Sequence, residues 1–256
     1  MLDNYEKFKK DILNMTKIDL NCYKEKQMRR RINTLITKNK LQDYDGYVDL
    51  IKKDKEKFEE FVNFLTINVS EFYRNPEQWK LLDKDIFPKL VEGKRQVKIW
   101  SAACSTGDEP YSLAMALSKH IDLNGIKIIA TDIDKQVLSQ AKVGLYNKKS
   151  ISGVPDDMKK KYLKQVGASY QVADEIKKCV QFKEHNLLKD PYPTDCDMIV
   201  CRNVVIYFTD EAKDEIYKKF YKSIKPGGYL FIGSTEQIMN YKEMGYIRHS
   251  SFFFER

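Results

Sequence analysis

The sequence predicts an α/β protein, in which a mostly parallel sheet covered by helices follows a small all-helical domain and is interrupted by a short antiparallel insertion. Three observations carry this. Residues 1 to about 66 hold no proline and one glycine, Gly46, and their apolar residues recur at helical spacing, as in Phe58, Phe61, Val62 and Leu65. From residue 97 onward short apolar runs alternate with amphipathic stretches, the pattern of βα units. Between about 145 and 184 that rhythm breaks.

Taken in order, a helix over 24–39 places Met28, Ile32, Leu35 and Ile36 on one face and surrounds them with Lys24, Lys26, Arg29, Arg30, Arg31, Lys38 and Lys40. At about 100° per residue the three arginines span some 200°, so at least two face solvent or a partner. A solvated face and a docking stripe both fit. Asn75-Pro76 opens a helix over 77–91. Strands are expected at 97–104, 126–131, 198–201, 229–234 and 246–254, with helices at 110–121, 135–142 and 211–224. Segments 170–173 and 176–183 read as short antiparallel strands. The implied organisation is a helical domain over 1–75, a linker helix over 76–94 and an α/β domain over 95–256 that carries a β-subdomain at 145–185.

Composition narrows the function classes. With 42% hydrophobic and 32% charged residues, the chain is neither fibrous nor low-complexity. No apolar run approaches the roughly 18 to 20 residues of a membrane span, and the start MLDNYEKFKK has no apolar signal core, so no membrane insertion and a cytoplasmic location are expected. Five cysteines without a C-x-x-C pair and three scattered histidines predict no metal site. A net charge of +8 permits an anionic partner without naming one.

In a doubly wound sheet, ligands sit beyond the carboxyl ends of strands. The first exit reads IWSAACSTGDEPYSLAMAL, a strand, a loop of small residues and a helix that starts with Asp108 and Glu109. This is not G-x-G-x-x-G, and two carboxylates at the helix mouth repel a pyrophosphate, so a dinucleotide is disfavoured. A ligand with a positive centre and free hydroxyls suits it, and S-adenosylmethionine (SAM) is one. The alternative, that the two carboxylates only cap the helix, stays open. The second exit ends in Thr131-Asp132-Ile133-Asp134; Asp132 is placed to accept both hydrogen bonds of a ribose diol, while Asp134 reads as the next helix cap. The strand at 198–201 exits into Arg202, Asn203 and, one helical turn on, Tyr207. Asp190-Pro191-Tyr192-Pro193 looks like the D-P-P-Y box of amino-methylating enzymes, but it precedes the strand that such a box should follow and reads as a loop.

NVSEFYRN (68–75), IWSAACSTGDEPYSLA (99–114), ATDID (130–134), EHNLL (184–188), CRNVVIYF (201–208) and KPGGYLFIGSTE (225–236) together resemble, in order and spacing, the CheR family of chemotaxis receptor methyltransferases. The resemblance covers essentially the whole chain. It implies a Rossmann-like SAM-dependent methyltransferase sheet with an N-terminal helical domain and an inserted β-subdomain, and transfer of a methyl group from SAM to glutamates of chemoreceptor cytoplasmic helices. Carried over residue by residue, it implies cofactor contacts at Asn68, Ser70, Arg74, Glu109, Asp132, Asn186, Leu187, Asn203 and Val204, with Arg74 and Tyr207 lining the transfer site. Ser70 stands where relatives often have threonine and Asp108 where they often have glutamate. Arg29, Arg30 and Arg31 are expected to dock an acidic face of the receptor helices. Between Tyr162 and Val180 the insertion carries one glycine, Gly167, where tether-binding relatives resemble a longer multi-glycine loop, so no C-terminal pentapeptide tether is expected. Two other readings are a basic nucleic-acid-binding module, which only the arginine cluster favours, and a scaffold that binds SAM without turnover.

Overall fold

The computed structural model describes residues 4–256. They form two compact units, one reaching to Asn68 and adding Val205–Glu215, the other made of Val69–Val204 and Ile216–Arg256. The first unit contains α1 (Tyr5–Thr16), α2 (Glu25–Lys38), α3 (Tyr44–Lys53) and α4 (Lys55–Thr66). Asp43 caps α3 by accepting from the Gly46 N–H at 2.7 Å, and Asp54 caps α4 by accepting from the Glu56 and Lys57 N–H groups. As its pattern predicts, α2 buries Met28, Ile32, Leu35 and Ile36. They join a core rich in rings, in which Phe8 lies 4.9 Å from Tyr44 and Tyr47 meets Phe61 edge-on at 5.8 Å. A 3-10 turn, Val205–Tyr207, belongs here too, with the Tyr207 carbonyl accepting from the Lys24 N–H at 2.9 Å.

The second unit opens with α5 (Pro76–Leu81), a π-helical stretch at Leu82–Ile86 and α6 (Phe87–Val91), one continuous helix. Pro88 sits inside it, has no N–H for the Lys84 carbonyl and crowds that carbonyl with its ring. The helix widens just before it, and the Phe87 N–H donates five residues back, to Leu82 O. There follow β1 (Val97–Ala102), α7 (Asp108–Leu117), β2 (Ile126–Asp132), α8 (Lys135–Val143), β3 (Leu145–Asn147), α9 (Asp156–Tyr162), β4 (Leu163–Val166), β5 (Ser169–Val172), α10 (Asp174–Lys177), β6 (Val180–Glu184), β7 (Cys196–Cys201), the part from Ile216 onward of α11 (Asp210–Ser223), β8 (Ile224–Ile232), β9 (Ile247–Arg248) and β10 (Phe253–Glu255).

Seven strands form the main sheet in the order β6-β2-β1-β7-β8-β10-β9. The first five are parallel, β10 runs antiparallel to β8, and β9 pairs antiparallel with β10. Strand order reverses direction at β1, between β2 and β7, so the exits of β1 and β7 part to leave the crevice in which such sheets bind ligands. Trp100 on β1 is fully buried, with the rings of Tyr192 and Phe220 packed edge-on at 4.8 and 5.4 Å.

Two expectations need correction. Segment 176–183 is not an antiparallel strand of the insertion; its start belongs to α10, and β6 joins the main sheet parallel to β2, with Ile128 opposite Val180. As an edge strand β6 packs Val180 and Phe182 on the core and exposes Gln181 and Lys183, the same alternation that a half-buried antiparallel strand shows. The insertion's own sheet is β3-β5-β4. Likewise 246–254 is not one strand but β9 and β10, joined by a turn in which the His249 N–H donates to Phe253 O at 2.9 Å. Among the described residues no helix is long and apolar enough to cross a membrane.

At the opposite end of the sheet from the crevice, Asp197 on β7 is buried and takes the Lys98 N–H at 2.8 Å, Lys94 Nζ at 2.9 Å and Lys225 Nζ at 3.2 Å. Burial alone would raise its pKa, but these donors outweigh burial and hold it below the ordinary aspartate value. A depressed carboxylate stabilises the fold above its unfolded pKa and loses that contribution as pH falls through the folded one. Asp197→Asn should therefore cost about 2 to 4 kcal/mol at pH 7 by urea denaturation, and the gap to the unsubstituted protein should narrow below about pH 4.

Candidate active site

The β1 exit loop holds Ala103, Ser105 and Gly107 at φ of +62°, +49° and +89°. Left-handed backbone costs a non-glycine residue on the order of 1 kcal/mol or more, so the loop must be held from outside. It is: the Cys104 N–H donates to Thr131 O at 2.8 Å, and the Ser105 N–H donates to Asp132 Oδ2 at 2.8 Å. At Gly107 a Cβ would stand 2.8 Å from the Ala141 Cβ, so glycine is required by packing as well as by φ. The Ser105 hydroxyl is buried and finds no protein partner.

Gly107 is the N-cap of α7, and no side chain caps that helix. The two carboxylates that follow it divide their work. Asp108, buried, accepts from Thr106 Oγ1 at 2.5 Å and from the Ser70 hydroxyl. Glu109 turns to the strand exits, where its Oε1 accepts from Ser101 Oγ at 2.8 Å and its Oε2 lies 3.5 Å from Arg202 Nη1. Burial raises the pKa of Glu109, and Arg202, Ser101 and Arg74 oppose that rise only in part. At the neighbouring exit Asp132 is also buried and also accepts the Asp134 N–H at 3.0 Å. Burial lifts its carboxyl to about 6 against the backbone donors of Asp134 and Ser105. Asp134 caps α8 through the Gln136 and Val137 N–H groups, the role expected of it.

Beyond β6, Asn186 Oδ1 accepts from the Leu188 N–H at 2.9 Å, and the Asn186 N–H donates to Asp190 Oδ2 at 2.8 Å. Tyr192 donates its hydroxyl to Leu187 O at 2.7 Å. The Asp190–Pro193 segment is thus a loop that pegs the Asn186–Leu187 turn. Beyond β7, Asn203 is left-handed at φ +61° and the Val204 N–H donates to Glu236 Oε1 at 2.9 Å.

Arg202 is buried, and its guanidinium ties this cluster together. Nη2 donates to Arg74 O at 2.9 Å, Asn75 Oδ1 at 3.0 Å and Gln78 Oε1 at 2.6 Å, and the guanidinium lies 4.6 Å from the centre of the Phe231 ring. It therefore fixes the backbone of Arg74, whose own half-buried side chain donates to Val69 O at 3.2 Å. The sequence marks Arg202 as a polar residue at a strand exit but not its partners, which lie about 125 residues earlier in the chain. Glu236 was missed too, although it follows the exit of β8 and the strand-exit rule points there.

The expected residues thus divide by unit. Ser70, Arg74, Glu109, Asp132, Asn186, Leu187, Asn203 and Val204 lie in the sheet unit, at or beside the exits of β1, β2, β6 and β7. Asn68 and Tyr207 belong to the helical unit, where Asn68 Nδ2 donates to Asn63 Oδ1 at 3.0 Å and to Thr66 Oγ1 at 2.9 Å. On α2, Arg30 is exposed, whereas Arg29 and Arg31 are half-buried. Arg29 Nε donates to the Tyr44 hydroxyl, and Arg31 donates to Phe64 O while its guanidinium lies 4.4 Å from the Phe64 ring centre.

Buried carboxylates at two adjacent exits, Glu109 and Asp132, with the buried Ser105 hydroxyl that has no protein partner between them, offer acceptors of the kind that a ligand with an ammonium or sulfonium and a ribose requires. Comparison with known proteins agrees. Residues 68–253 match the family described as CheR methyltransferase, SAM binding domain, and residues 3–66 match CheR methyltransferase, all-alpha domain. The chain is 40% identical over 238 residues to the chemotaxis protein methyltransferases of Listeria innocua and Listeria monocytogenes, covering 93% of this chain and 91% of theirs. To the chemotaxis protein methyltransferase of Borreliella burgdorferi it is 32% identical, covering 98% of this chain and 93% of the relative.

An Asp132 that accepts from a cofactor diol must be ionised to do so; on that assignment affinity for S-adenosylhomocysteine should fall below about pH 6, the Kd rising by up to tenfold per pH unit. Calorimetry from pH 5 to 8 checks this. Asp132→Asn should bind more weakly at pH 8 and lose that part of the pH dependence; an unaltered pH profile would remove Asp132 from the site.

Proposed function

Because this chain belongs to the CheR methyltransferase family and is a SAM-dependent methyltransferase of chemotaxis, we propose that it methylates glutamate side chains on the cytoplasmic helices of chemoreceptors, in the cytoplasm, to give γ-glutamyl methyl esters and S-adenosylhomocysteine. The observation that carries the choice of acceptor is Arg74, a cationic side chain whose main chain is clamped beside Glu109 by Arg202. A cation at that place suits an acceptor that is itself an anion.

When bound, SAM supplies a methyl group activated by its sulfonium. Asp132 holds the ribose diol, Glu109 the cationic amino-acid end, and Ser70, Asn186, Leu187, Asn203 and Val204 complete the sheet unit's cofactor contacts. A glutamate acceptor with an ordinary pKa near 4.3 is ionised at pH 7, so the chain need not remove a proton. Its task is to hold the carboxylate in line and exclude water, where placement alone supplies about 7 to 11 kcal/mol. Arg74 orients the carboxylate through its guanidinium N–H groups. Binding the carboxylate too tightly would slow the transfer, so these are orienting contacts. The experiment is incubation with methyl-labelled SAM and receptor fragments. Label should leave the receptor in mild alkali, as esters do, and label that persists would point to an amine acceptor.

Docking would fall to the exposed side of α2, where Arg30 stands with Lys26 and Lys38. Arg30→Glu should lower receptor methylation at low salt several-fold and flatten its salt dependence while leaving SAM affinity unchanged. Arg31→Glu should instead lower the thermal midpoint of the protein, since it breaks the contacts to Phe64. Equal rates and equal salt response in Arg30→Glu would leave the stripe a solvated helix face. β4 and β5 are joined by only Gly167 and Ala168, which supports a β-subdomain that works without a receptor pentapeptide tether and meets the receptor or braces the fold instead.

A further inference from the structure

Glu236 lies in the turn that follows β8, and nothing above gives it a task. Its side chain is buried, and each carboxylate oxygen takes a backbone N–H: Oε1 that of Val204 at 2.9 Å, Oε2 that of Gly233 at 2.6 Å. The turn closes on itself, the Glu236 N–H donating to Gly233 O at 3.1 Å. Position 233 has no room for a side chain, because a Cβ there would stand 2.8 Å from Glu236 Oε2 and 2.9 Å from the Asn203 nitrogen. Asn203 itself holds a left-handed backbone, which its short polar side chain tolerates but does not enforce. The exits of two adjacent parallel strands, β7 and β8, are therefore joined through one carboxylate.

We propose that Glu236 is a positioning residue for the cofactor: its carboxylate locks the Asn203–Val204 turn in the left-handed form that presents Asn203 to SAM. The proposal rests on the reading of Asn203 as a cofactor contact. The geometry demands an acceptor on both sides, since two N–H groups, that of Gly233 buried and that of Val204 partly buried, aim at the two oxygens of one group. A carboxylate satisfies both. A carboxamide of the same shape must turn its NH2 toward one of the two N–H groups, which leaves a donor without a partner and frees the turn.

The test is calorimetric binding of S-adenosylhomocysteine to the full chain carrying Glu236→Gln, Asn203→Ala or both, with amide hydrogen exchange read at Val204. Glu236→Gln should weaken binding about tenfold and speed exchange at Val204, since a hydrogen bond to a charged acceptor is lost. If Glu236 acts through Asn203, the double variant should bind no more than about twofold more weakly than Asn203→Ala alone. A brace that only stabilises the fold would lower the thermal midpoint while the two binding losses multiplied, or while Glu236→Gln kept its affinity; either result overturns the proposal. An unchanged affinity in Asn203→Ala would instead remove Asn203 from the site, and the proposal with it. Should Glu236→Gln not fold, exchange in the unsubstituted chain decides: Val204 must be protected and become more so with S-adenosylhomocysteine, and fast exchange there would reject the lock.

Discussion

A buried guanidinium is the constraint around which the sheet unit's crevice is arranged. Arg202 is shut away from water, and a charge in that position is tolerated only if nearly all its donors find acceptors. The chain meets this demand at Nη1 and Nη2 by bringing the Arg74 carbonyl, Asn75, Gln78 and Glu109 to one point, while Nε stays buried without a hydrogen-bond partner. Segment 74–78, the start of α7 and the end of β7 are thereby held in one arrangement. Removing one member of such a buried pair typically costs about 3 to 5 kcal/mol, because the remaining charge is stranded. The burial that makes the pair expensive also raises the pKa of Glu109 and lowers that of Arg202, and the attraction between the two opposes both shifts.

The strand exits share a second economy. Ala103, Ser105 and Asn203 all hold left-handed backbones, and in each loop a carboxylate takes a neighbouring main-chain N–H: Asp132 that of Ser105, Glu236 that of Val204. The strain at these positions is balanced by charge-assisted hydrogen bonds from side chains on adjacent strand exits. Asp132 and Glu236 thus act as braces for backbone, and a purely local reading of Asp108 and Glu109 as helix caps likewise does not describe what they touch.

What could be read from the sequence was what depends on neighbours along the chain. The helical face of α2, the cap at Asp134, the order of β1, α7, β2 and α8 and the strand exits all follow from periodicity and punctuation within a few residues. Edge strand β6 was misplaced because its half-exposed alternation is the same in a parallel and an antiparallel edge, and only the partner strand tells them apart. Arg202 and Glu236 were underread for a related reason: their partners lie far off in sequence or on another strand exit, and no spacing rule records such a meeting. The three arginines of α2 show the same limit, since the pattern gives their directions around the helix but not that Phe64 and Tyr44 stand ready to receive two of them.

The widened turn ahead of Pro88 has a consequence for how this helix tolerates change in length. A π-turn is, in effect, an α-helix that has absorbed one extra residue without disturbing the phase on either side. Trp79 before it, Leu82 and Ile86 within it and Phe87 and Leu90 after it all reach the same core. A chain shorter by one residue between 82 and 86, with an ordinary residue in place of Pro88, can therefore close into a regular α-helix and keep both buried faces in register. Asp83 and Asp85 flank the widest point and bond His120 and His249 from different parts of the unit, so the slack is taken up where side chains on two sides secure the helix. Gaps in this stretch are changes of helical pitch rather than losses of an element.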